Sequence, residues 1–316
     1  MTEPPEIDTS VPHSARIWNY WLGGKDNYPV DRDAGDQFRE AFPEIVEVAR
    51  ASRRFLTRAV RYLAGEAGVR QFLDVGTGLP TADNTHEVAQ RVAPESRVVY
   101  VDNAPVVLAH ARALLTSTQG VTAYADADLH DPDTILQLAT PTLDLTRPVA
   151  LMLLGVLGHV SDDDETRSIV KRLLDRLASG SYLVLCDGTN TSQAGVQAQD
   201  DYDQSGAIPY RLRSPEQIAG LFAGLELVEP GVVSLPRWRP DPTSGDGPPA
   251  RSTPSAGWAA SRRSGASGPD ADAGVDELVG GDVLGLEAGL GRLTLGGEDR
   301  AHDVDHPLDP GVRCRP

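Results

Sequence analysis

The sequence predicts an α/β fold in which helices cover both faces of a largely parallel sheet, with an N-terminal helical arm ahead of it. Three observations carry this. Short apolar runs at Gln71–Val75, Arg97–Val101, Val149–Leu154 and Tyr182–Cys186 recur at intervals that leave room for helices between them. Val149–Leu154 has no polar position, as expected of a strand covered on both sides. The first run continues into Asp74-Val75-Gly76-Thr77-Gly78, a strand, a tight turn and a helix start. In a Rossmann-like sheet that is where a nucleotide-like ligand is received.

Bulk properties narrow the function. A chain of 316 residues can bury a full α/β core and leave a tail. No apolar run approaches the ~20 residues that span a bilayer. Met1–Ser10 is acidic and Pro-rich rather than basic then apolar, so a cytoplasmic location is expected. The net charge of −17 argues against nucleic acid, which needs a basic surface. The expected partner is a small-molecule substrate, with no membrane and no metal, and the oligomeric state is not readable. The cysteines, Cys186 and Cys314, offer neither metal spacing nor a disulfide framework, and Cys186 reads as a buried thiol.

In chain order, residues 1–11 read as disordered and 12–68 as an arm with helices. The arm carries Trp18, Tyr20 and Trp21, then Gly23-Gly24 and Asn27-Tyr28-Pro29. It either packs through Trp18 and Trp21 or closes over the ligand as a lid. A long helix is expected from Ala34 to about Ala64, kinked or split at Pro43. Residues 69–240 form the core, with helices expected over Thr81–Val92, Ala104–Leu115 and Glu165–Ala178. Val121–Ala125 is a weak third strand and Leu225–Val233 a sixth. After Pro240 there is no Lys, Phe or Tyr, and seven Arg face thirteen Asp and Glu. Residues 241–316 therefore read as a low-complexity, disordered tail with a possible short strand at Leu293-Thr294-Leu295.

The glycine loop departs from the dinucleotide pattern. A third glycine would fall at Thr81, after Pro80. The pattern is instead acid-x-Gly-x-Gly, the nucleoside loop of methyltransferases that use S-adenosylmethionine (SAM); as a lone motif it is also compatible with an ordinary αβ turn. Asp74 can accept an ammonium or order the loop, and Gly76 and Gly78 let a ligand approach the backbone. Asp102 ends the second strand, where an acid binds both hydroxyls of a ribose, with Asn103 beside it. Asp128 and Leu129 follow the third strand and border an adenine pocket, while Asp131 caps the next helix. His159, in the loop after Val149–Leu154, is the candidate base, a structural role being the alternative. Tyr20, Tyr28, Tyr210 and Arg211 are candidates for the acceptor pocket.

Several blocks resemble the actinobacterial S-adenosyl methyltransferase family, formerly a domain of unknown function. They include Ala15-Arg16-Ile17-Trp18, Leu22-Gly23-Gly24-Lys25-Asp26-Asn27, Gly78-Leu79-Pro80-Thr81, Asn84-Thr85-His86, Arg213-Ser214-Pro215-Glu216-Gln217 and Pro236-Arg237-Trp238-Arg239-Pro240. The resemblance covers roughly Pro12 to Pro240. It implies a class I SAM-dependent methyltransferase sheet, SAM as cofactor, and Gly76, Gly78 and Asp102 as cofactor positions, but no substrate. Two departures stand out. Gly158-His159 occupies the place of a frequent histidine pair, and the usual closing strand with a Tyr-Gly-Gly-Val-like end is not found. A non-catalytic SAM- or nucleoside-binding regulator is therefore the alternative to a methyltransferase.

Overall fold

The computed structural model describes residues 7–114, 120–241 and 285–294. The chain begins with α1 (Ser14–Trp21), α2 (Pro29–Ala41) and α3 (Ile45–Gly65). The expected long helix is thus split, and the break falls at Pro43: Phe42 leaves helical geometry at φ −136°, ψ 81°. Residues 7–11 are not the loose end anticipated. Arg16 is buried, donates to the carbonyls of Asp8 (2.8 Å) and Val11 (2.6 Å), and pairs with buried Asp31 at 2.8 Å.

Strand and helix then alternate: β1 (Gln71–Val75), α4 (Thr85–Val92), β2 (Arg97–Asp102), α5 (Pro105–Leu114), β3 (Val121–Asp126), α6 (Pro132–Ala139), β4 (Ala150–Leu154), α7 (Asp163–Leu174) and β5 (Tyr182–Gly188). Helix α4 starts at Thr85 rather than Thr81 because Asn84 caps it, with the Glu87 carboxylate returning to the Asn84 N–H at 2.8 Å. The chain continues through α8 (Gln193–Asp203), α9 (Pro215–Gly220), β6 (Glu226–Leu227), β7 (Val233–Ser234) and β8 (Leu286–Arg292). The sheet order is β3-β2-β1-β4-β5-β8-β6, with β7 also on β8. Strands β1 to β5 are mutually parallel and β8 runs antiparallel between β5 and β6.

Alternation along each strand divides the core in two. Phe72, Tyr100, Met152 and Val184 face α3, where Phe55 and Leu63 are buried. Leu73, Val99, Leu151 and Leu185 face the other way, onto Ile135 of α6 and Leu173 of α7. Trp238 is wholly buried against Phe55 and Tyr62, and Arg58 donates to the carbonyls of Leu235 and Trp238, so the Pro-Arg-Trp block anchors the C-terminal edge to α3.

Two expectations are corrected here. The sixth strand is not continuous over Leu225–Val233. Pro230 has no N–H to give and Gly231 turns with φ 86°, so the chain leaves the sheet after Val228, whose N–H still donates to the Leu290 carbonyl at 2.9 Å, and rejoins at Val233. The antiparallel strand thought missing is present. Leu286–Arg292 pairs with all of β5, from Tyr182–Arg292 to Gly188–Leu286, and so is not part of a disordered tail. Gly291 is needed there, since a Cβ would lie 2.8 Å from the Leu225 side chain. Leu293 and Thr294 follow the strand outside its bounds, and Leu295 and Cys314 lie outside the described residues. No helix among the described residues is long and apolar enough to cross a membrane.

Candidate functional site

A cleft of about 380 Å³ opens at the carboxyl ends of β1, β2 and β4, within the size range of small-molecule sites. Its floor is the glycine loop. Gly76 has φ 74° and Gly78 φ 65°. A Cβ on Gly76 would lie 2.3 Å from Val156 of the β4 loop, whereas at Gly78 nothing stands within 4 Å. The first glycine lets two loops close and the second leaves backbone open to a ligand.

Asp102 shapes that loop. Its Oδ2 accepts from the Gly78 N–H at 3.0 Å and its Oδ1 from the Ala104 N–H at 2.9 Å. Two N–H bonds hold the carboxylate and leave further lone pairs for ligand hydroxyls. Asn103 donates to Asp128 Oδ2 at 3.1 Å, and Asp128 Oδ1 accepts from the His130 N–H at 2.8 Å. Leu129 is buried on the cleft wall.

Asp74 lies deeper, on the α3 face of the sheet, and accepts the Thr85 hydroxyl at 2.6 Å. Burial pushes its pKa up to about 6, against the pull of the Thr85 hydrogen bond and Arg53. Arg53, from α3, lines the same cleft and donates Nη2 to the carbonyls of Ala82 and Asp83, while its buried Nε has no hydrogen-bond partner among the described residues. Arg53 is not among the site residues expected from the sequence. A signal was available: it lies four residues after Ala49 and three before Leu56, a charge on the buried stripe of an otherwise amphipathic helix.

The arm is a wall of the cleft through His13, Ser14, Trp18 and Asn19. Of the four residues expected to contact an acceptor, Tyr210 lines the smaller cavity beside the cleft, and the other three line neither. Tyr20 is tied to Asp36 at 2.8 Å on the outer side of α1. Tyr28 caps α2 and lies under the Arg16 guanidinium at 5.2 Å. Arg211 is half exposed and pairs with Asp163 at 2.8 Å. Tyr20, Tyr28 and Arg211 do not reach the site, because each is engaged in a contact away from the cleft.

His159 sits in a 3-10 turn (Leu157–His159) and lines both the cleft and a smaller cavity beside it. Its Nδ1 is 3.2 Å from the Pro209 carbonyl, an atom that only accepts, so Nδ1 carries the proton and a neutral ring keeps its lone pair on Nε2. Burial lowers its pKa, opposed by the Pro209 carbonyl and Asp203, which favours the neutral ring. The ring stands edge-on to Tyr210 at 5.2 Å. A Cβ on Gly158 would lie 2.3 Å from the Tyr210 ring, so in this chain glycine there makes room for the tyrosine. Behind them, Arg213 and Asp187 form a buried network that sequence reading also missed.

A family model described as S-adenosyl methyltransferase matches residues 1–262. The chain belongs to this family. It is similar to a protein of the DUF574 family from Streptomyces avermitilis, 41% identical, with a TM-score of 0.77 over 91% of this chain and 100% of the other. A candidate methyltransferase from Thermobifida fusca is 38% identical, with a TM-score of 0.75 over 93% of this chain and 99% of the other. No curated protein matches the sequence. The protein is accordingly a SAM-dependent methyltransferase, and its sheet, with β8 antiparallel between β5 and β6, is of the class I type.

The residues present fit that cofactor. The methionine end of SAM carries an ammonium and a carboxylate, and the cleft offers a buried carboxylate, Asp74, beside a guanidinium whose Nε has no partner. Gly78, bonded to Asp102 and without a side chain, lines the same cleft. Among the described residues no cluster of His, Cys, Asp or Glu could hold a metal ion.

Proposed function

We propose that the enzyme transfers the methyl group of SAM to a small-molecule acceptor, with His159 as the base. The observation that carries this reading is the meeting of the cofactor cleft and a separate cavity at one histidine whose Nδ1 is already engaged. Bound SAM would supply a methyl group activated by its sulfonium. Asp102 would accept the ribose hydroxyls, Asp128 and Leu129 would border the adenine, with Asn103 holding Asp128. Asp74 would take the ammonium and Arg53 the carboxylate. Gly76 and Gly78 keep the loop low enough for all of these to converge. His159 would accept the acceptor's proton through Nε2, and the arm, with Trp18 on both cavities, would keep water out.

The non-catalytic alternative is not favoured. It drew on Gly158 and on the apparent loss of the last strand. Tyr210 fills the space at Gly158, and Leu286–Arg292 occupies the strand position.

Isothermal calorimetry with SAM tests the reading. Wild-type protein is expected to bind, and Asp102→Ala to bind roughly ten- to a hundredfold more weakly, as expected for losing charge-assisted hydrogen bonds. Absence of heat with wild type at millimolar SAM would overturn it.

A further inference from the structure

The smaller cavity has a chemistry of its own. It encloses about 90 Å³ and meets the cofactor cleft at Ser14, Trp18, His159 and Leu286. Among the described residues that line it there is no acid, lysine or arginine. One side of the wall is aromatic, a run of ring contacts from Trp18 to Trp21 (5.7 Å), to Phe38 (5.3 Å), and from Phe38 to Tyr202 (6.3 Å). Within this wall the Tyr202 hydroxyl is buried and, among the described residues, has no hydrogen-bond partner. An uncompensated buried hydroxyl is unfavourable, so a group that pairs with it on binding gains more than an ordinary exposed contact.

An aromatic wall favours a flat ring, which can pack edge-to-face or offset against it. With no cation among the described lining residues, a carboxylate or phosphate is disfavoured, since its desolvation is not offset there. The size favours one ring. A cavity of about 150 Å³ admits benzene, so an occupant here extends past Trp18 and His159 toward the cleft. A hydroxyl on that leading edge would meet the one side chain shared by both cavities that can take a proton.

We infer that this cavity is the acceptor subsite and that it takes a neutral, single-ring phenol bearing a second uncharged polar substituent for Tyr202. The inference rests on the methyltransferase reading. In the reaction the acceptor's O–H bond breaks and an O–CH₃ bond forms. The proton passes to His159 Nε2, and the electron pair of the cleaved S–CH₃ bond stays on sulfur, leaving the neutral thioether.

The test is binding, which separates this inference from the reaction. Calorimetry is run with SAM alone, then with p-cresol, 4-hydroxybenzyl alcohol and 4-hydroxybenzoate on protein saturated with S-adenosylhomocysteine. Both neutral phenols are expected to bind, the benzyl alcohol several-fold tighter, and the benzoate at least tenfold more weakly than p-cresol. Tyr202→Phe is expected to erase the advantage of the benzyl alcohol. Gly195→Leu places a side chain into the cavity from α8, where a Cβ meets nothing closer than 3.4 Å. It should weaken both phenols at least tenfold and leave SAM affinity unchanged, since Gly195 does not line the cleft. SAM binding without any preference for the neutral phenols, or phenol affinity unmoved by Gly195→Leu, would overturn the inference. Failure of SAM itself to bind would overturn the methyltransferase reading instead, and the acceptor assignment with it.

Discussion

Replacing Arg213 by leucine is expected to destabilise the protein by about 3–5 kcal/mol, the usual cost of removing one partner from a buried ion pair. Arg213 is 1% exposed and every nitrogen of its guanidinium is in use. Nε donates to Asp163 at 3.1 Å, Nη1 to the Leu157 carbonyl at 3.0 Å and Asp187 at 3.4 Å, and Nη2 to the Val160 carbonyl at 2.6 Å and Thr166 at 2.8 Å. One side chain thus joins the end of β5, the start of α7 and both sides of the turn that carries His159. The loss should also depend on pH. Burial holds the Asp187 pKa at about 6, against the Tyr210 hydrogen bond and the Arg213 charge. Without Arg213 that pKa rises further above its unfolded value, so the native state keeps its proton to higher pH. Where the native state binds more protons than the unfolded one, stability falls as pH rises. The variant should therefore lose more stability at pH 8 than at pH 5, where Asp187 is protonated and the orphaned charge disappears. Urea unfolding at the two pH values measures this. Equal losses, or a loss under about 1 kcal/mol, would contradict it.

Arg213 and Arg211 mark the boundary between what local sequence encodes and what only packing decides. The glycine loop, Asp102 and the position of His159 were legible because each follows from local grammar: strand end, positive-φ glycine, acid after the next strand. The parallel strands were legible from their apolar runs. What local grammar does not carry is which of two nearby arginines turns inward. Arg211 and Arg213 are alike in sequence, and only the packing of β5, α7 and the His159 turn gives one of them five partners and the other an exposed ion pair. The same holds for the arm, whose Tyr20 and Tyr28 look like pocket residues until Asp36 and Arg16 are seen to occupy them. Strand β8 escaped for a different reason. Leu286–Arg292 contains Gly289 and Gly291 and has weak strand propensity, and its pairing partner lies about a hundred residues earlier in the chain.

Asp74→Asn should make the ligand-free protein more stable while weakening its hold on SAM. The carboxyl is buried with a pKa of about 6, raised from 3.8 chiefly by burial. The native state therefore binds this proton more tightly than the unfolded state does. The sign follows directly: the group contributes no penalty below about pH 4, loses stability as pH rises from about 4 to 6, and costs a constant amount above that. A shift of this size corresponds to about 3 kcal/mol at neutral pH, an upper bound for a site that water can reach in the open cleft. Asparagine keeps an oxygen for the Thr85 hydroxyl and carries no charge, so the variant is expected to gain about 1–3 kcal/mol at pH 7.5 and almost nothing at pH 4. SAM affinity should fall roughly tenfold, since the ammonium loses its counter-charge. Chemical unfolding at the two pH values and calorimetry with SAM check the pair of effects together. A variant that is less stable at pH 7.5, or that binds SAM as tightly as wild type, would show that Asp74 merely orders the loop. A buried carboxylate that costs stability in the free protein and is retained beside an arginine with an unpaired Nε is what a site prepared for a zwitterionic ligand requires. Arg53→Met supplies the complementary result, weaker SAM binding with Asp74 pushed to a still higher pKa, because its nearest positive charge is gone.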